Sequence, residues 1–173
     1  MEIRQNGQID PAEWDDFLER SGGASPYQLW AWKDVYQATY GLQTHQIAAY
    51  SNGQISGVLP LVDVHSPFSG RYLTTPPGGI AFQNEEIGAM LVKYGTQLAD
   101  KLGAGYLAIR DGEKKVGSSK LNTVEGHFAF VMDLDECASE EFGCLSRKTR
   151  QKVSRSMREG ITYKVGNHLI EEF

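Results

Sequence analysis

Two strand-like runs, residues 42–50 and 54–64, meet at Ser51-Asn52-Gly53, and this junction constrains the fold more than any other feature. Asn and Gly tolerate the positive φ angles that a tight hairpin turn demands. The runs on either side are mostly apolar, so the spacing predicts an antiparallel hairpin within a sheet. Pro60 interrupts the second run. A residue without an N–H cannot donate to a ladder, so a bulge or an edge is expected at Pro60.

Helical and strand periods alternate around this hairpin. Residues 1–5 form a strand candidate. Asp10 then opens a helix as its N-cap, with Pro11 in the first turn and Glu13 placed to close a capping box. Trp14, Phe17 and Leu18 share the inner face of that helix, and Gly22-Gly23 ends it. A second helix is expected after Ser25-Pro26, running to about Thr39, with Gly41 beyond its end. Residues 71–75 are a further short strand. Over 84–102, Ile87, Met90, Leu91, Tyr94, Leu98 and Leu102 keep a helical period, and 106–110 reads as a strand. A helix between two strands implies a crossover and parallel pairing. Residues 127–134 alternate, with Phe128, Phe130, Met132 and Leu134 on one side; 145–159 is a last helix, and 161–165 begins another strand. The fold class expected is α/β (α+β), a mixed central sheet flanked by helices.

Several kinds of chemistry have no signature here. No apolar run approaches the ~18 residues of a membrane helix. Met1-Glu2-Ile3-Arg4 lacks the layout of a secretion signal. A soluble, cytoplasmic protein without a transmembrane segment is therefore expected. Cys137 and Cys144 do not form a CxxC pair and read as ordinary thiols. His45, His65, His127 and His168 show no HxxxH or HExxH spacing, so no metal site is expected. Pro76-Pro77-Gly78-Gly79 is not followed by the Lys-Ser/Thr of a nucleotide-binding loop, and no GxSxG elbow is present. Asp111, Asp133 and Asp135 stand at strand ends, where general bases and ordinary turn formers look alike. No residue receives a catalytic role.

Charge is segregated along the chain. Residues 1–144 carry ten Lys or Arg against nineteen Asp or Glu, whereas 145–164 carry seven basic residues against one acid. On a helical projection Phe142, Leu145, Thr149, Val153 and Met157 form one stripe, and Arg147, Lys148, Lys152, Arg155 and Arg158 lie opposite. Arg150 projects beside the apolar stripe and is expected to be partly buried and paired. Such a helix is either a solvated basic face or a surface for phosphate, to which the planar fork of Arg is suited. Tyr27 to Lys33 is rich in aromatic residues and is either core or the wall of a pocket. Gly78-Gly79 is either a plain turn or a place where backbone comes close to a ligand.

The order of these pieces resembles the FemAB-like family. The resemblance rests on Tyr27-Gln28 with Trp32 and Tyr40-Gly41, on Gly57-Val58-Leu59-Pro60-Leu61-Val62, and on Ser69-Gly70-Arg71-Tyr72-Leu73 followed by Pro77-Gly78-Gly79. It continues through Tyr106-Leu107-Ala108-Ile109-Arg110 to its most specific part, Lys148-Thr149-Arg150, Val153-Ser154-Arg155 and Gly160-Ile161. It covers nearly the whole chain. The strand Gly57 to Leu61 is similar to that of members accompanying exosortase and exopolysaccharide systems.

The resemblance implies paired domains of the N-acyltransferase (GNAT-like) fold. It divides the chain into a first domain at 1–144, a basic connecting helix at 145–160 and the truncated start of a second domain at 161–173. The implied partner is then a further carboxy-terminal domain. The implied activity is an aminoacyl- or acyltransferase whose acceptor is an amine on a cell-wall (peptidoglycan) or surface-polysaccharide precursor. The implied donor is aminoacyl-tRNA or acyl-CoA, with no tightly bound cofactor. A coenzyme A-dependent N-acyltransferase and a non-catalytic glycan- or RNA-binding module are the alternatives. Peptidoglycan members place a lysine a few residues after the tryptophan, whereas Lys33 here directly follows Trp32. A coenzyme A loop of the Gln/Arg-x-x-Gly-x-Gly/Ala type is not found in the sequence. The expected substrate-binding residues are Trp32, Tyr72, Gly78 and Gly79 for a groove, and Arg147, Lys148 and Arg150 for anionic groups.

Overall fold

The computed structural model describes residues 1–22, 24–110, 121–122, 124 and 145–161. Two compact units divide the chain, Met1–Asn122 and Thr123–Phe173. In the first, β1 (Glu2–Gln5) leads to α1 (Pro11–Arg20) and α2 (Trp32–Tyr40). The hairpin of β2 (Gln43–Ser51) and β3 (Gln54–Ser66) follows, then β4 (Gly70–Thr74) and the two-residue β5 (Ala81–Phe82). Helix α3 (Glu85–Leu102) and β6 (Leu107–Ala108) complete the unit. In the second unit the described element is α4 (Arg147–Arg158). The strand expected at 127–134, all but the first residue of that expected at 161–165, and Cys137, Cys144, His127, His168, Asp111, Asp133 and Asp135 lie outside the described residues.

The strands form one mixed sheet in the order β1-β2-β3-β4-β6, with β5 also pairing β3. Asn52 and Gly53 adopt φ of 51° and 77°, which closes the hairpin with Ser51 opposite Gln54. Of the bulge or edge expected at Pro60, the bulge lies elsewhere, and the proline falls in a stretch of β3 that neither β4 nor β5 pairs. Ala49 pairs Gly57 and Tyr50 pairs Ile55, so Ser56 is the extra residue. Pro60 sits opposite Gln46, between the stretch of β3 paired with β5 (Gly57, Val58) and the stretch paired with β4 (Val62 to Ser66). The proline thus falls where β3 changes its second partner. The long helix makes the expected crossover, and β4 and β6 pair in parallel.

Alternate residues of β2 face opposite ways, and each face has its own core. Ile47 and Ala49 join Leu59, Leu61 and Leu73 beneath Ile87, Leu91, Val92 and Ala99 of α3. Ala48 and Tyr50 join Val58 beneath Trp14, Phe17 and Leu18 of α1. Covering both faces explains why the middle of β3 reads as a continuous apolar run. Gly57 is required for the α3 side, since a Cβ there would stand 2.5 Å from Cγ2 of Ile87.

Two local expectations are corrected. Asp10 caps α1, accepting from the Ala12 N–H at 2.8 Å, but Glu13 accepts the Tyr50 hydroxyl at 3.0 Å instead of closing a capping box. The second helix does not begin at Ser25-Pro26. A 3-10 turn, Pro26–Gln28, comes first, and Leu29 takes an extended ψ of 148°. The backbone there is held by α1: Trp14 Nε1 donates to the Gln28 carbonyl at 2.9 Å, and Trp30 N–H donates to Asp15 Oδ1 at 2.8 Å. These bonds hold the chain out of helical geometry until Trp32.

Candidate functional site

Pro60 and the break in the 26–31 segment converge on one place. A narrow gap of about 10 Å³ opens between α2 and the sheet, lined by Tyr27, Trp32, Tyr36, Gln46, Pro60 and Pro76 among others. Gln46 is 4% exposed, and its Oε1 has no hydrogen-bond partner among the described residues. A buried carbonyl oxygen left in this way costs about 1–3 kcal/mol. A larger depression of about 410 Å³ lies between the end of α1 and Pro26, lined by Leu18, Glu19, Ala24 and Leu29 among others. It is shallow and gathers no set of polar groups, so the chemistry points to the smaller gap.

Aromatic rings line the outer side of the gap. Tyr27 and Trp32 lie 4.7 Å apart, Trp32 and Tyr36 6.1 Å, and Tyr36 and Tyr40 6.5 Å. The spacing Trp32, Tyr36, Tyr40 is one helical turn each, so the row follows a single stripe of α2. Helix α2 has no buried residue, and Tyr27 and Tyr40 are exposed. Burial raises the Tyr36 hydroxyl above its ordinary value, and the Arg110 guanidinium pulls it back. Arg110 follows β6, and its N–H donates to the Thr75 hydroxyl at 2.8 Å just beyond β4. The carboxyl ends of the two parallel strands are thereby tied together on the side that carries the gap. Lys33 Nζ is paired with Asp34 at 2.7 Å and lies 5.7 Å from the Trp30 ring.

The residues expected from sequence to bind substrate are placed as follows. Trp32 lines the gap. Gly78 and Gly79 are pinned to the 3-10 turn, with Gln28 Nε2 donating to the Gly79 carbonyl at 3.3 Å. Gly78 has φ of 100°, and a Cβ there would stand 2.5 Å from the Ser25 Cβ and 2.7 Å from Gln28 Oε1. The close approach these glycines permit is therefore to the chain's own Ser25 and Gln28. Tyr72 shares the sheet face of the gap by register, but it stacks on Tyr106 at 4.8 Å and is not a lining residue. Arg147, Lys148 and Arg150 lie on α4 in the other unit. All three are exposed, and α4 buries none of its residues. Arg150, expected to be partly buried, reaches back over the first turn and donates to the Leu145 carbonyl at 2.9 Å.

A second polar cluster lies on the α3 face. The Asp63 side chain, 1% exposed, receives Arg71 Nε at 3.0 Å and Nη2 at 2.6 Å, and Arg71 Nη1 also donates to the Leu102 carbonyl. His65 Nε2 lies 3.4 Å and His45 Nε2 3.9 Å from the Asp63 carboxylate. The bidentate Arg71 holds Asp63 below its ordinary value, and burial lowers His45. Arg71 crosses from the sheet to the last turn of α3, so this cluster joins structural elements. Among the described residues no group of His, Cys, Asp or Glu has the arrangement of a metal site. No described helix is long and apolar enough to cross a membrane.

No protein-family model and no curated protein matches the sequence. Solved structures do match. FemX is 22% identical over 60% of this chain and 25% of its own, with a TM-score of 0.52. The fold is that of an N-acetyltransferase. A predicted acetyltransferase from Clostridium acetobutylicum, solved with acetyl-CoA, is 12% identical, covering 78% of this chain and 97% of its own at a TM-score of 0.54. Ribosomal-protein-alanine N-acetyltransferase from Brucella melitensis biovar Abortus 2308 is 14% identical over 76% and 97%, at 0.53. The expected GNAT-like sheet is therefore present. The chain spans about a quarter of the length of FemX.

Gln46, Tyr36 and Arg110 did not stand out in the sequence. A signal for Gln46 exists: it lies two and four residues before Ala48 and Tyr50, on the inward parity of a buried strand. Asp63 had a similar signal, a carboxylate ending an apolar run with an arginine eight residues on.

Proposed function

We propose that the chain is the amino-terminal half of a FemAB-like transferase, moving an aminoacyl or acyl group onto an amine of a cell-wall or surface-polysaccharide precursor. The observation that supports this is the N-acetyltransferase fold, to which FemX is also similar, with a narrow gap between α2 and the sheet. In such a transfer a neutral amine nitrogen attacks an acyl carbonyl. A C–N bond forms, the bond to the departing oxygen or sulfur breaks, and the amine proton leaves with a base or the leaving group. Trp32 serves as a groove wall, Gly78 and Gly79 hold the turn against Gln28, and Tyr72 with Tyr106 offers a flat surface further along the same face.

The donor this reading favours is aminoacyl-tRNA. The first turn of α3 carries Glu85 and Glu86, and its Asn84 cap already occupies the Ile87 N–H. Those carboxylates complement the positive end of the helix and repel a pyrophosphate, so the start of α3 is unsuited to the pyrophosphate of coenzyme A. Arg147, Lys148 and Arg150 offer an exposed basic surface for tRNA phosphates. A further carboxy-terminal domain completes the site, and the reaction is cytoplasmic, where charged tRNA is made.

The deciding experiment is a transfer assay on the full-length polypeptide. Charged tRNA and acyl-coenzyme A are supplied in parallel with a mixed pool of amine acceptors, and products are followed by mass spectrometry. Transfer from charged tRNA is the expected result, with a salt-dependent step weakened by Arg147→Ala with Lys148→Ala. Transfer from coenzyme A alone would replace the donor assignment. No transfer from either donor by folded protein would overturn the transferase reading in favour of a binding module.

A further inference from the structure

The aromatic row that begins at Tyr27 and follows α2 stays open to solvent in the first unit. Tyr27 is 43% exposed and Tyr40 68%, while Trp32 and Tyr36 between them are half-buried. Neighbouring rings meet at interplanar angles of 55°, 49° and 38°, with centroids 4.7, 6.1 and 6.5 Å apart. Rings this close already touch one another, so nothing flat fits between them. A ligand lies across the row instead, over a surface that tilts by a step at each ring. From Trp32 to Tyr40 that surface runs about 12 Å along the helix, since each residue rises about 1.5 Å.

Charge and width decide what that ligand is. The row's own cation, Lys33, is paired with Asp34 at 2.7 Å and stands 5.7 Å from the Trp30 ring, and α2 carries no net charge. Residues 1–110 hold seven Lys or Arg against eleven Asp or Glu. Single-stranded RNA needs a positively charged groove beside its stacking rings. Arg110, which acts on Tyr36, is one charge where a track of phosphates needs a series. The row is also one ring wide, with Lys33 and Gln37 to one side and Val35 and Thr39 to the other, whereas a specific protein partner covers about 800 Å². What fits is an uncharged ligand with an apolar face and polar edges. A pyranose unit is built that way. Its C–H bonds form a face of slight positive charge that meets the negative face of an aromatic ring, and its hydroxyls reach the Tyr hydroxyls and the Trp32 indole N–H. Because the row is open, hydroxyls without a protein partner stay hydrated.

We propose that Tyr27, Trp32, Tyr36 and Tyr40 form a carbohydrate-binding surface, across which consecutive uncharged sugar units lie with their C–H faces on the rings. That the sugar belongs to the acceptor of an acyl transfer rests on the transferase reading; the binding itself does not.

The test uses the 173-residue chain and the neutral probes chitotetraose, cellotetraose and mannotetraose, with oligoadenylate and trialanine amide standing for the other ligand classes. Binding is followed through the indole N–H resonance of Trp32 in ¹H–¹⁵N spectra. At least one tetrasaccharide is expected to shift it saturably, while the buried Trp14 indole, bonded to the Gln28 carbonyl, stays in place. Affinity should be the same at low and high salt, because no counterions are released. Tyr40→Ala should weaken binding roughly fivefold and Tyr36→Leu roughly tenfold, while Tyr36→Phe, which keeps the ring, stays within about twofold. Tyr40 is 68% exposed, so its variant tests the surface without disturbing the fold. No shift with any tetrasaccharide, or wild-type affinity in both Tyr40→Ala and Tyr36→Leu, would overturn the proposal. So would an equal shift with trialanine amide, or tighter, salt-dependent binding of oligoadenylate at the same resonance, which would make the row a peptide or a base-stacking surface.

The two readings fail separately. If the full-length protein transfers and Tyr40→Ala leaves the acceptor KM unchanged, the sugar surface falls and the transferase stands. If nothing is transferred but a tetrasaccharide binds through the row, the surface stands and the transferase falls.

Discussion

The two faces of the one sheet are packed by different rules. On the α3 face, Leu59, Leu61, Leu73 and Leu91 are fully buried, and Gly57 lets the helix come within contact of the strand. The polar groups on that face, around Asp63, are joined through Arg71 to the end of α3. On the α2 face the helix has no buried residue, its rings are half-buried or exposed, and Gln46 Oε1 has no partner among the described residues. The difference separates scaffold from site. Each face leaves one buried side-chain atom without a hydrogen-bond partner among the described residues, His45 Nε2 on the α3 face and Gln46 Oε1 on the α2 face, so what separates the faces is how tightly their helices pack.

The comparison can be broken by mutation. The largest loss is expected on the α3 face: Leu91→Ala should destabilise the unit by about 3 kcal/mol, measured by chemical denaturation, because the cavity lies between helix and sheet. A loss below about 1 kcal/mol would mean that this face is not the scaffold. Asp63→Asn should cost about 2 kcal/mol, since it weakens a charged, bidentate pair and leaves Arg71 half-buried without its counter-charge.

Acidification should act on the same cluster without any mutation. His45 is held neutral by burial, so the unfolded chain takes up its proton first. Stability should fall as pH drops below about 6.5, the ordinary histidine value, towards the lower value in the fold. Asp63, lowered chiefly by Arg71, adds a second loss below about 3.9 as pH falls towards its folded value. Melting temperatures measured from pH 8 to 3 should show both steps, and Asp63→Asn should remove the second. A flat profile would remove the cluster from the account of the α3 face.

The smallest effect is expected on the α2 face. Gln46→Met should raise stability by about 1 kcal/mol, because it removes a desolvated oxygen that has no bond to lose. A loss of 2 kcal/mol would show that Gln46 serves packing, and the contrast between the faces would disappear.

Much of this architecture could be read before any coordinates. Asn52-Gly53 specified the hairpin because few other pairs accept two positive φ angles. The period of Ile87, Leu91 and Leu98 specified α3, and its place between two short strands required a parallel crossover. Capping by Asp10 followed from side-chain chemistry alone. The start of α2 was misplaced because Trp14 and Asp15, distant in sequence, hold the backbone at Gln28 and Trp30. The burial of Arg150 was misjudged because a helical wheel places the direction of a side chain but not its reach back to Leu145.

The sequence by itself determined the elements, their order and the segregation of charge, because these follow from local propensity and period. Tertiary structure alone decided that Gln46 would be buried without a partner, that Tyr36 and Arg110 would act on one another, and that Gly78 would press on Gln28. Those relations depend on which residues meet across the sheet. Here the meeting is set by a bulge at Ser56, which no residue type announces, and by a change of partners at Pro60, where the missing N–H signals a break in the ladder but not what pairs on either side of it.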